Sequence, residues 1–173
     1  SSGTFKTDKG ELIDVPYTLV VSTMGRMKDV TKAVTKPFKS AGNKLVVFGG
    51  IDTESLGGSV YLDAYNERGN VLHDRGNHWA RYLAEGYRYI GQCYDQGIIR
   101  SASAIAEGGL FLRLFEASLG SGLSAVVDIS SLMPGRMDGA LFAEAVGSLL
   151  LEIDDSVDID EVFMGYPYTI IGR

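Results

Sequence analysis

Lys44-Leu45-Val46-Val47-Phe48-Gly49-Gly50 and, one short loop later, Leu56-Gly57-Gly58-Ser59-Val60-Tyr61-Leu62 form the stretch that decides the fold. The first run is apolar at nearly every position, which predicts a strand covered on both faces. In the second, two glycines and a serine stand before a short helix expected from Ser59 to about Tyr65. Glycine has no Cβ, so the backbone there can come close to a ligand. A helix N-terminus adds unpaired N–H groups and the positive end of a dipole. Together they predict either a phosphate cradle or simply a tight strand-to-helix turn.

Outward from this unit the chain alternates strand and helix patterns. Val15 to Met24 is β-rich and almost continuously apolar past Pro16, so Tyr17 to Met24 reads as a second central strand. A short helix or turn is expected from Lys28 to Val34, and Ala41-Gly42-Asn43 turns the chain into the strand at Lys44. Asn66 to Asn77 reads as a loop, with Asn77 the N-cap of the longest helix. Trp79, Leu83, Gly86, Tyr87, Ile90, Cys93 and Tyr94 recur at helical steps, and Trp79, Leu83, Tyr87 and Ile90 are expected to face the sheet. A strand from Ile98 to Ala104 leads to a helix opened by Gly108-Gly109 and closed by Gly120 and Gly122. Further strands are predicted at Leu123–Ile129, Leu149–Ile153 and Tyr168–Ile171, with a short helix from Asp158 to Phe163. Such alternation points to a layered α/β domain.

Composition bounds the function. A chain of 173 residues is long enough for a proper core, and 45% hydrophobic with 22% charged residues is ordinary for a globular protein. The net charge of −6 argues against a non-specific nucleic-acid binder. All seven lysines lie at or before Lys44, so an anion site is most easily built from the first third. The single Cys93 precludes an internal disulfide and suits a reducing compartment. The two histidines, His73 and His78, belong to no cluster with metal-ligand spacing. Asp154, Asp155, Asp158, Asp160 and Glu161 suggest either a cation site or a solvated helix start, and the second is the simpler reading. Arg26 and Lys28 either reach a phosphate or sit in water at a strand end.

The order of motifs carries more than any one of them. Gly25-Arg26-Met27-Lys28-Asp29-Val30 is followed by Phe38-Lys39-Ser40-Ala41-Gly42-Asn43, then Leu56-Gly57-Gly58-Ser59. Ile105-Ala106-Glu107-Gly108-Gly109-Leu110 with Phe115-Glu116-Ala117 comes next, then Leu141-Phe142-Ala143-Glu144 and Tyr168-Thr169-Ile170-Ile171-Gly172. This succession resembles the C-terminal domain of the aminoimidazole ribonucleotide synthase-like superfamily, and within it the phosphoribosylformylglycinamidine synthases, over nearly the whole chain. The resemblance implies a single layered α/β domain at 15–173, with a mixed central β-sheet packed by helices. Residues 1–14 would be a linker from an N-terminal ATP-binding domain.

The resemblance implies an activity for the whole enzyme: an ATP-dependent ligase of purine biosynthesis and a glutamine amidotransferase. It would turn formylglycinamide ribonucleotide into its amidine with glutamine-derived ammonia, in the cytoplasm. ATP and Mg²⁺ would be held mainly by the N-terminal domain, so this chain alone is expected to be inactive and to bind no cofactor. The implied partners are the ribonucleotide, that ATP-binding domain and a glutaminase domain or subunit, with no nucleic acid and no membrane. Gly57, Gly58 and Ser59 would hold the substrate phosphate, and Glu107, Gly108 and Gly109 would line the cleft. No catalytic residue and no metal ligand is assigned.

The chain also departs from the family pattern. Where relatives often carry His-Asp-x-Ser-Asp-Gly-Gly, this chain has Ser103-Ala104-Ile105-Ala106-Glu107-Gly108-Gly109, and an expected arginine is replaced around Ser148. These losses keep a second expectation open, a degenerate structural half of the same enzyme. Siblings such as aminoimidazole ribonucleotide synthase, selenophosphate synthetase or a hydrogenase-maturation protein are a third.

Overall fold

Leu45, Val46, Val47 and Phe48 are all buried, and their side chains alternate between two cores. That alternation is the pleat at work: successive residues of a strand point to opposite faces. A computed structural model of the chain describes residues 3–15, 19–69, 76–133 and 136–173, with backbone alone at 76–78. The chain divides into two compact units, Ser1–Val30 and Thr31–Arg173.

The first unit holds a hairpin of β1 (Gly3–Lys6) and β2 (Leu12–Val15), paired antiparallel from Gly3↔Val15 to Lys6↔Leu12. Gly10, at φ +84°, closes its turn by donating to the Thr7 carbonyl. The hairpin overlaps the stretch 1–14 expected to be a linker and runs one residue past it, and the division of units falls between Val30 and Thr31. The central strand expected at Tyr17–Met24 is not formed over its described part. Residues 19–24 lie outside any strand, and Leu19, Val20, Val21 and Met24 are exposed; Pro16, Tyr17 and Thr18 lie outside the described residues. An apolar run shows that a segment can be covered, not that this chain supplies the cover.

The second unit is built on a four-stranded sheet in the order β4-β5-β3-β6. Its strands are β3 (Lys44–Phe48), β4 (Ile99–Ala104), β5 (Leu149–Ile153) and β6 (Tyr168–Gly172), with all three ladders antiparallel. The expected layered α/β architecture is present. Its parallel component among the described residues is an isolated bridge between Thr35 and Ser101. Leu123–Ile129, expected as a strand, forms none; it contributes the bridge Val127↔Gly172 and main-chain bonds between Val126 and Arg173.

Among the described residues five α-helices complete the unit: α1 (Val60–Asp63), α2 (Gly76–Asp95), α3 (Gly109–Ser121), α4 (Met137–Phe142) and α5 (Ile159–Val162). Leu110, Leu114 and Ala117 of α3 pack with Leu45, Val47 and Leu150 on one side of the sheet. Ile90 and Cys93 of α2 pack with Val46, Phe48, Leu151 and Ile153 on the other. Each large buried side chain contributes about 1.5–3 kcal/mol, so these two faces dominate stability. At Gly86 a Cβ would lie 3.0 Å from the Phe48 ring, so the small residue sets how closely α2 approaches. Leu83 and Ile90 face inward as expected, whereas Tyr87 is 41% exposed and donates its hydroxyl to the Gly147 carbonyl at 2.6 Å. A tyrosine at the rim keeps its polar end wet and still packs its ring. The helix begins at Gly76, one residue before the expected cap.

Candidate functional site

Ser59 sits where the sequence puts it, as N-cap of α1. Its Oγ accepts from the Leu62 N–H at 3.3 Å. This is ordinary capping chemistry, and it buries Ser59 to 2% exposure. The neighbouring amides are also engaged. Gly58 N–H donates to the Arg68 carbonyl at 2.9 Å and Ser59 N–H to the Leu56 carbonyl at 3.1 Å. The expectation that the N–H groups of this loop open together to a cleft therefore needs correcting at Gly58 and Ser59. The loop closes on itself because Gly58, at φ +70°, turns its amide back toward residue 68.

The second glycine-led loop is built against the first. Gly108, at φ +79°, is the N-cap of α3. Gly109, at φ +68°, packs so tightly that a Cβ would meet the Leu141 carbonyl oxygen at 2.5 Å and Phe142 Cα at 2.6 Å. Only glycine satisfies both the positive φ and the contact. Phe142 then reaches across: its ring stacks on Tyr61 of α1 at 4.6 Å and lies 5.5 Å from Phe111 of α3.

Glu144, two residues on, supplies the polar counterpart. Its Oε1 accepts from Val60 N–H at 3.0 Å and from Gly108 N–H at 3.3 Å. One carboxylate oxygen thus ties the starts of α1 and α3. Val60, next after Gly57–Ser59, and Gly108 of Glu107–Gly109, far apart in sequence, are brought together on it. The resemblance assigns no role to Phe142-Ala143-Glu144. Its partners are main-chain groups, which leave no mark in composition. On the flank, the Tyr61 hydroxyl donates to Asp138 at 3.4 Å, and the Arg136 guanidinium holds the Asp138 carboxyl below its usual range.

The departures from the family pattern also have places. Ser148 is fully buried; its Oγ donates to the Gly50 carbonyl and accepts the Gly50 N–H, locking the end of β3 to the start of β5. Ser103 is buried in β4 and Ala104 is exposed. Glu107 is exposed at the lip of the second loop. The acidic run is used locally. Asp158 caps α5 through the Asp160 and Glu161 amides, and the Asp160 carboxylate accepts the Tyr168 hydroxyl. Among the described residues no three His, Cys, Asp or Glu side chains stand close enough to hold a metal. No described helix is long and apolar enough to cross a membrane.

Comparison with known proteins defines the class. The fold overlays that of PurLQS from Thermotoga maritima with a TM-score of 0.60 at 14% identity, over 83% of this chain and 24% of that one. It overlays T. maritima PurL complexed with FGAR with a TM-score of 0.61 at 12% identity, over 83% of this chain and 25% of that one. The chain thus has an aminoimidazole ribonucleotide synthase-like α/β fold.

In sequence the chain is 30% identical over 151 residues to phosphoribosylformylglycinamidine synthase subunit PurL of Alkaliphilus metalliredigens, covering 86% of this chain and 19% of the relative. It is 33% identical over 142 residues to the PurL of Thermoplasma volcanium, covering 82% of this chain and 18% of the relative. No protein-family model matches. The chain is similar in sequence to PurL proteins over 79–86% of its own length, and it spans about a fifth of the length of the curated relatives it matches.

Proposed function

We propose that the chain is the substrate-side domain of an ATP-dependent, amidine-forming synthase of purine biosynthesis. The observation that carries this reading is the convergence of its two glycine-led loops at Glu144 in a chain similar in sequence to PurL. In the reaction the glycinamide carbonyl oxygen of formylglycinamide ribonucleotide takes the γ-phosphoryl group of ATP, and ADP leaves. Glutamine-derived ammonia attacks that carbon, and phosphate leaves. ATP and Mg²⁺ belong to an ATP-binding domain of the same cytoplasmic synthase, and the ammonia comes from a glutaminase partner. This chain supplies one wall and orients the ribonucleotide, a contribution through positioning. Gly57, with no partner for its N–H among the described residues, heads the face that meets the ribose phosphate. Gly58 and Ser59 shape that face, and Glu107, Gly108 and Gly109 form its opposite lip.

A second reading, a structural half of the same enzyme, is favoured by one observation: the amides of Gly58, Ser59, Val60 and Gly108 are already paired within the chain. Calorimetry separates the two. The substrate-side reading expects formylglycinamide ribonucleotide to bind and the same compound without its phosphate to bind at least about tenfold more weakly. Equal binding of both, or of neither, would favour the structural half.

A further inference from the structure

We propose that Glu144 is a positioning residue that sets the spacing of the two glycine-led loops, acting through the Val60 and Gly108 amides and not on the ligand itself. The inference rests on the substrate-side reading for its consequence, but its geometry stands apart from it. Oε1 is shared by two N–H donors from different helix starts, at 3.0 Å and 3.3 Å. Neither Phe142, which bridges α1 and α3 by its ring, nor Gly109, which sets their closest approach, fixes the direction of those donors. A hydrogen bond does, because it weakens steeply off line. Both amides are therefore occupied by Glu144. The ribose phosphate of a ligand must then be met by the outer face at Gly57, at a distance that Glu144 determines. The acceptor oxygen and its reach matter, and the charge matters less.

This separates two conservative variants. Glu144→Gln keeps an oxygen at the same reach without the charge. Glu144→Asp keeps the charge and shortens the reach by one methylene. Amide hydrogen exchange in the chain would be read at Val60 and Gly108, with Val46, Val47 and Leu151 as sheet references, and ribose 5-phosphate would be titrated as the probe. The proposal expects Glu144→Gln to stay within about twofold of wild type in both measurements. It expects Glu144→Asp to raise exchange at Val60 and Gly108 together by about tenfold, with the sheet unchanged, and to weaken the probe by a similar factor. It is overturned if Glu144→Asp matches wild type, if only one of the two amides responds, or if Glu144→Gln is the more damaging variant. If wild type does not bind ribose 5-phosphate, the substrate-side reading falls, and the paired amide response still decides the role of Glu144.

Discussion

Gly58 and Gly109 both have positive φ, but a side chain would meet different surroundings at each. At Gly58 no atom of the described residues lies within 4 Å of an added Cβ, so Gly58→Ala bears only the backbone strain of about 1 kcal/mol. At Gly109 the Cβ would also press on the main chain of Leu141 and Phe142. Gly109→Ala should therefore cost at least about 2 kcal/mol in urea unfolding, and equal costs at the two positions would remove the close approach from the account. Glu152 offers a second test. It is 1% exposed, and its carboxylate accepts from the Lys39 and Ser40 amides and from Asn43 Nδ2 at 2.7–3.0 Å. Glu152→Gln turns one acceptor into a donor that faces a donor, and should cost about 1–3 kcal/mol. Asp154 provides a pH test. The Ser156 hydroxyl and amide, then Arg100, lower its carboxyl from 3.8 to about 2. The unfolded chain then binds this proton more readily than the folded one. Its contribution is fully present above about pH 4 and is lost as pH falls toward 2. The stability gap between wild type and Asp154→Asn should be flat above pH 4 and narrow below it.

At the scale of elements, α1 shows how little holds a four-residue helix. Its cap is Ser59, and Ser59→Ala should cost about 1 kcal/mol and raise exchange at Leu62; an unchanged Leu62 would mean that the cap does not hold the loop. Elements whose signals are local were legible in the sequence: β3 from its two-faced apolar run, α3 from the glycines at both ends, α5 from Asp158. Two apolar stretches were not. Leu19–Met24 and Leu123–Ile129 carry strand composition, but pairing depends on what lies alongside, and neither forms a strand. The two halves of the site were legible as separate glycine-led turns. Their meeting was not, because Phe142 and Glu144 join them through ring stacking and main-chain amides whose partners are remote in sequence.

For the whole molecule, the chain matches about a fifth of its PurL relatives, and the account gives it the wall and not the chemistry. Purified chain with ATP, Mg²⁺, ammonium and formylglycinamide ribonucleotide should release no phosphate above background, and Mg²⁺-dependent turnover would overturn that division of labour. The central claim is that the two glycine-led loops form one ribose-phosphate surface. The direct measurement is a titration of isotope-labelled chain with formylglycinamide ribonucleotide, followed amide by amide. The account predicts saturable shifts at Gly57–Tyr61 and Glu107–Leu110 with a single affinity, and none along β4 or α5. Shifts confined to one loop, or centred instead on the separate 340 Å³ cavity lined by Ser40, Asn43 and Glu152, would contradict it.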